Sequence, residues 1–227
     1  MNTDAHKAPT SPSSLRLVLT LAIAGLVSGI AIIGIYESTL PTITANKARE
    51  LRAAVFKVLP GVAQMQPLVY RDSKLVVVEA ADKDEPVIYG GYDDQGEFVG
   101  YAMPAAGPGF QDTIAILYGY KPEQRMVVGM EVLESRETPG LGDKIYKDLE
   151  FVAGFSALSI EPEIVAVKKG TKSQPNEIDA ITGATISAKA IVRIINETHA
   201  AWSGQLPAPG SEPPLELSES ADTGAGQ

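Results

Sequence analysis

The stretch Asp179-Ala180-Ile181-Thr182-Gly183-Ala184-Thr185-Ile186-Ser187 decides how the rest of this sequence is read. It sets three hydroxyls, on Thr182, Thr185 and Ser187, around a small Gly-Ala pair. An amphipathic run follows, with Ile191, Ile194, Ile195, Thr198 and Trp202 along one side, and this predicts a helix from Ser187. The N-terminus of a helix offers unpaired N–H groups and partial positive charge, which favour a phosphate. Gly183 permits close backbone approach, and Ala184 adds little bulk. Thr, Gly and Asp before an apolar helix are also ordinary turn and cap residues. Alone, the stretch fits either a capped helix or a phosphate site.

Working back from it, the spacing predicts strands over residues 75–80, 87–92, 98–102, 113–120 and 126–134, with a short one over 164–168. Asp93-Asp94-Gln95-Gly96 reads as a hairpin turn between two of them. Short connections favour antiparallel pairing, because parallel neighbours need long crossovers. The expected class is α+β: a twisted antiparallel sheet with helices packed on it.

Composition narrows the chemistry. The 227 residues suit one domain plus extensions, and the net charge of −9 argues against nucleic acid or anionic lipid as the main partner. There is no cysteine, so thiol nucleophiles, disulfides and iron–sulfur ligands are absent. The two histidines, His6 and His199, are too few for a conventional zinc site or a Ser-His-Asp triad. No metal ligands and no catalytic residues are assigned. Redox chemistry would need a borrowed cofactor.

Residues 17–36 carry no charge, and about 20 helical residues rise about 30 Å, the thickness of a bilayer core. A cleaved signal peptide is the rival, but Glu37-Ser38-Thr39-Leu40-Pro41 is a poor cleavage flank. Gly25 and Gly29 form a small-xxx-small pair, suited to helix packing or merely common in membrane spans. Lys7 and Arg16 before the span nearly balance Lys47, Arg49 and Arg52 after it, so charge alone gives no orientation. After Pro41, Ala48, Leu51, Val55 and Leu59 predict a helix over 44–59 that stops at Pro60-Gly61. Residues 1–14 are polar and expected to be disordered, as is the acidic, Pro-rich segment 205–227, which has no Lys or Arg.

Two Gly/Pro loops complete the pattern. Glu137-Thr138-Pro139-Gly140-Leu141-Gly142-Asp143-Lys144 follows the strand at 126–134 and leads to an expected helix around 146–155. It fits a tight turn, or a rigid edge laid against a planar ring with Lys144 supplying positive charge for a phosphate or an anionic ring. Pro104-Ala105-Ala106-Gly107-Pro108-Gly109-Phe110 reads as a second loop between strands, at its plainest a wide hairpin.

Together these segments resemble one family, RnfG, the G component of the Rnf electron transport complex and a membrane protein with an FMN-binding domain. The resemblance spans residues 42–202 and the preceding anchor. It rests on Gly107-Pro108-Gly109-Phe110, on Glu131-Val132-Leu133-Glu134-Ser135-Arg136-Glu137-Thr138-Pro139-Gly140-Leu141-Gly142-Asp143-Lys144-Ile145, and on residues 179–185. The last matches the Asp-x-x-Ser/Thr-Gly-Ala-Thr pattern at which a flavin transferase attaches FMN. Thr182 stands where many members have Ser, and Ser187 where many have Thr.

The resemblance implies that Thr185 carries FMN through a phosphoester. Asp179, Thr182, Gly183 and Ala184 would present it to the transferase and line the phosphate, with Ser187 close by. Thr138, Pro139, Gly140, Leu141, Gly142 and Lys144 would contact the flavin. The implied organisation is a cytoplasmic tail at 1–16, a transmembrane helix at 17–36 and a connecting helix at 37–60. An FMN-binding domain at 61–204 would lie on the periplasmic side of the inner membrane, followed by the tail at 205–227. The implied partners are the other Rnf components, which would handle the ion, ferredoxin and NAD. Two alternatives stay open. One is the C component of the sodium-pumping NADH:quinone reductase, which shares the motif. The other is a non-redox anchored binding module in which 182–187 only caps a helix.

Overall fold

The computed structural model describes residues 13–79 and 85–216. Residues 1–12 and 217–227, parts of the segments expected to be disordered at 1–14 and 205–227, and the last residue of the strand expected at 75–80 lie outside the described residues. The chain divides into two compact units at Arg49 and Glu50.

Helix α1 (Ser14–Val58) runs through the division and contains an apolar window of mean hydropathy 2.5, long enough to cross a membrane. Ser13 caps it by accepting the Arg16 N–H. Thr20, Ser38, Thr39 and Thr44 donate their hydroxyls to carbonyls one turn back, at 2.7–3.0 Å, which satisfies these polar groups within the helix. The expected change of element near Pro41 does not occur. Pro41 lies inside α1, and the expected anchor and connecting helix are one helix. Proline withholds a single N–H, leaving one carbonyl a turn back, at Glu37, without its usual donor.

In the second unit, β1 (Gln64–Arg71), β2 (Lys74–Val77), β3 (Val87–Tyr92), β4 (Phe98–Pro108), β5 (Thr113–Lys121), β6 (Met126–Glu134) and β7 (Leu158–Ser159) form one antiparallel sheet in the order β2-β1-β3-β4-β5-β6-β7. Asp93 builds the expected hairpin turn, its Oδ1 accepting from the Gln95 and Glu97 N–H groups, with Gly96 at φ +82°. The fold is α+β, as expected. Two details differ. The segment 104–108, expected as loop, continues β4. Pairing of β4 with β3 ends at Ala102, so beyond it β4 is an edge, and Pro104 and Pro108 withhold no ladder bond on that side. In addition β8 (Val165–Val167) and β9 (Glu177–Asp179) pair in parallel. The helix expected around 146–155 is two short pieces, α2 (Lys144–Lys147) and α3 (Leu149–Ala153), because Asp148 turns extended and caps the second.

Helix α4 (Thr185–Ser203) covers one face of the sheet. Ile191, Ile194, Ile195 and Trp202 join Met103, Ile116 and Tyr118 in the main core, each large apolar side chain contributing roughly 1.5–3 kcal/mol by burial. On the opposite face, residues 54–59 at the end of α1 and beyond it sit on a floor of glycines, one from each of four neighbouring strands: Gly91, Gly100, Gly119 and Gly129. A Cβ at Gly129 would lie 2.7 Å from the Val58 carbonyl oxygen, and one at Gly100 would lie 3.0 Å from Leu59. The backbone of the α1 end lies where side chains would otherwise stand.

One further expectation is corrected. Residues 205–216 are ordered against the sheet. Gln66, buried within β1, donates to the Tyr92 hydroxyl (2.7 Å) and the Pro214 carbonyl (2.9 Å), Tyr92 donates to the Pro213 carbonyl (2.6 Å), and Glu216 N–H donates to Gln66 (2.9 Å). Buried polar groups need partners, and the segment after α4 supplies them.

His199 of α4 is 8% exposed against the ring of Tyr120. Burial lowers its pKa, opposed by Glu161, whose oxygen lies 4.0 Å away. The imidazole is therefore held neutral in the folded domain. Its contribution is complete above the ordinary imidazole value and is lost as pH falls through that value toward the lowered one. Thermal unfolding followed from pH 7 to pH 5 should fall more steeply for the wild type than for His199→Gln. Parallel curves would remove His199 as the source.

Candidate functional site

The motif alternates between anchoring and exposed residues. Ala180, Ile181 and Ala184 are buried in the core, while Thr182, Gly183 and Thr185 are exposed. Ala184 N–H donates to the Ile181 carbonyl (3.0 Å), and Gly183 takes φ +82°, the third position of a turn that favours glycine. A long α4 follows directly, its first unpaired N–H groups at the turn. Its cap is Ala184, which has no side-chain cap hydrogen bond. The Thr185 hydroxyl instead reaches back to the Ile181 carbonyl at 3.3 Å, beyond the usual O–H···O range. It is exposed and weakly held.

Lys144 opens α2 beside this turn. Its Nζ donates to the Thr182 carbonyl at 3.4 Å, and a Cβ at Gly183 would stand 3.4 Å from the same nitrogen. A cation, a helix N-terminus and a hydroxyl thus meet at one open surface, a suitable combination for a phosphate ester.

The loop before α2 is a turn closed by Leu141 N–H donating to the Thr138 carbonyl (3.1 Å), with Gly140 at φ +78°. Pro139, Gly140 and Leu141 are exposed or half-buried. Together with exposed Phe110 and Ile186 they provide apolar surface of the kind a flavin ring needs. Gly142 is different. It is buried, and a Cβ there would strike the Glu137 carboxylate and lie 3.0 Å from the Ser187 hydroxyl. Its missing side chain leaves room for the protein's own carboxylate. Thr138 is also committed, donating to Gln111 Oε1 (2.6 Å). Asp143 accepts from Lys147 (2.5 Å), and that hydrogen bond, against the cost of burial, holds its carboxyl below the usual range.

Glu137 is the residue that pattern reading passed over. It is 5% exposed, and three donors converge on it. Oε1 accepts from the N–H groups of Phe110 and Gln111, both at 2.9 Å, and Oε2 accepts from the Ser187 hydroxyl at 2.5 Å. Burial pushes the pKa of Glu137 up, but the Ser187 hydroxyl and the backbone N–H groups outweigh it and hold the carboxyl below its ordinary value. Gly109 makes the same allowance as Gly142, since its Cβ would lie 2.5 Å from Oε1. Arg193 of α4 donates to the Pro108 carbonyl and secures the β4–β5 turn from the other side. The only signal in the sequence was a carboxylate directly preceding a Thr-Pro-Gly loop.

The structure thus brings together Thr182, Gly183, Ala184, Thr185 and Lys144, and joins Ser187 and Gly142 to them from beneath through Glu137. Asp179 is turned elsewhere: its Oδ1 accepts from the N–H groups of Gly170 (2.9 Å), Thr171 (3.2 Å) and Lys172 (3.2 Å). It fixes the turn preceding β9. A cleft of about 190 Å³ is lined by Asp179, Ala180 and Ile181, but not by Thr185. That is below the several hundred cubic ångströms of an enclosed small-molecule site. The surface at Thr185 is exposed, with Thr182, Gly183 and Ile186 beside it.

Residues 109–200 match the FMN-binding domain family. The chain is 31% identical over 189 residues to the G component of the Na(+)-translocating ferredoxin:NAD(+) oxidoreductase complex of Acetobacterium woodii, covering 80% of this chain and 87% of that one. It is 28% identical over 179 residues to the G component of the ion-translocating oxidoreductase complex of Methanosarcina acetivorans, covering 78% and 88%. The crystal structure of NqrC from Shewanella oneidensis has the same fold, with TM-score 0.56 at 18% identity, over 67% of this chain and 91% of that one.

Proposed function

Because this chain belongs to the RnfG family, the G components of ion-translocating oxidoreductase complexes, we propose that it relays electrons within such a membrane complex through one FMN esterified to Thr185. The observation that carries this is the exposed, weakly held Thr185 hydroxyl beside Lys144 and the first turn of α4. A tether holds the flavin on this exposed surface. The flavin supplies the redox chemistry, and the protein supplies position and electrostatics.

Each residue has a physical task. Thr185 Oγ1 forms the new bond to phosphorus, while the pyrophosphate bond of a flavin dinucleotide donor breaks and the nucleotide half leaves with its electron pair. The hydroxyl proton passes to a base on the transferase. Lys144 and the first N–H groups of α4 balance the phosphate charge. Gly183 keeps the approach clear of side-chain atoms. Pro139, Gly140 and Leu141 offer the rigid edge, and Phe110 and Ile186 the apolar surface, for the ring. The α1 helix anchors the chain, the domain stands on the periplasmic side, and partner subunits handle the ion, ferredoxin and NAD.

The pure capping alternative has less support, since Ala184 occupies the cap position and the Thr185 hydroxyl faces a carbonyl. The test is a denaturing gel of the full chain, produced with a flavin transferase and viewed under ultraviolet light. A fluorescent band at the mass of the chain is expected, and a dark band would overturn the proposal.

A further inference from the structure

We infer that Glu137 is the positioning residue of this site, one buried carboxylate that fixes the first turn of α4, the β4–β5 turn and the loop at 138–142 in a single arrangement and thereby orients the Thr185 hydroxyl for esterification. This rests on the flavin reading above and adds a residue that touches neither the flavin nor the acceptor oxygen.

The geometry is that of a three-way staple. Oε1 takes two consecutive backbone N–H groups from Phe110 and Gln111, and Oε2 takes the hydroxyl of Ser187. The backbone of Glu137 leads straight into Thr138, so its side chain ties that loop to both other segments. Gly109 and Gly142 are each without a Cβ where one would collide with this carboxylate. Two glycines in two different loops therefore make room for the same group.

Ser187 is the link to Thr185. Residues two apart on a helix point to nearly opposite sides. Accordingly Ser187 is 2% exposed and directed inward, while Thr185 is exposed. Holding Ser187 from below sets the rotation of the first turn of α4 and therefore the direction of the Thr185 hydroxyl above. A carboxylate suits this task because it has acceptor sites for all three donors and no competing donor of its own. Arg193, which grips the Pro108 carbonyl from the next turns of α4, keeps the same two elements in register.

The test is the rate of FMN transfer to the full-length apo chain in detergent, with purified flavin transferase and a flavin dinucleotide, read as in-gel fluorescence per folded molecule. Glu137→Ala and Ser187→Ala should each slow transfer at saturating chain, Glu137→Ala by about tenfold or more, because small misplacements of a reacting group are costly. The double variant should be little slower than Glu137→Ala alone, as expected for two residues acting through one contact. Glu137→Gln keeps the shape, accepts both N–H groups and can donate to Ser187, and it should recover most of the rate. Wild-type rates in Glu137→Ala and Ser187→Ala, or a Glu137→Gln as slow as Glu137→Ala, would overturn the inference. A lowered melting temperature with unchanged transfer per folded molecule would also overturn it, marking Glu137 as merely structural. If Glu137→Ala does not fold, Ser187→Ala and Glu137→Gln decide by the same criteria. An unlabelled wild type would strike the flavin reading instead.

Discussion

Thr185→Ala in the full chain, produced alongside a flavin transferase, is expected to give a polypeptide with no covalent flavin, a complete loss and not a partial one. Esterification needs an oxygen at this position, and no neighbouring hydroxyl can take its place. Ser187 is 2% exposed and donates to Glu137, so it is buried and engaged. Thr182 is the second residue of the Gly183 turn and lies outside the first turn of α4. Thr185→Ser should still be labelled, and Ser187→Ala should still reach full labelling at long times, although more slowly. In-gel fluorescence and the intact mass, shifted by one FMN less water, measure all three. Fluorescence that persists in Thr185→Ala would move the attachment elsewhere.

The second large effect concerns stability. Gly119→Ala is expected to destabilise the domain by about 3 kcal/mol, the upper part of the overpacking range. A Cβ at Gly119 would collide with the carbonyl oxygen of Val58, a backbone atom, and would lie 3.0 Å from Leu59. Relief would require residues 54–59 to rise off the sheet. In thermal unfolding this corresponds to a fall of roughly 10 °C for a domain of this size. Gly204→Ala is a fair control, since that residue has an ordinary φ of −82° and nothing within 4 Å of its added Cβ. A Gly119→Ala variant as stable as Gly204→Ala would mean that the glycine floor is not a close contact in solution.

Local pattern was legible where local forces decide. The strands at Val87–Tyr92 and Met126–Glu134 have the predicted limits, because alternation and flanking turn residues act over a few neighbours. β1 was missed since Gln66 and Pro67 interrupt its alternation. Gln66 is accommodated by Tyr92 and by the segment after α4, far along the chain. The same distance explains residues 205–216, whose composition reads as solvated tail but whose carbonyls satisfy buried side chains of β1 and β3.

The sequence by itself determined the apolar anchor segment, the α+β class and the motif that offers Thr185 beside a flexible glycine. Each depends on residue type at short spacing, the range over which periodicity and turn chemistry act. Only the tertiary structure decided which hydroxyls face outward, that Asp179 serves a neighbouring turn, and that Gly142 and Gly109 leave room for Glu137. The physical reason is convergence. Glu137 meets partners 26, 27 and 50 residues away, and no spacing rule along a chain encodes three donors arriving at one carboxylate.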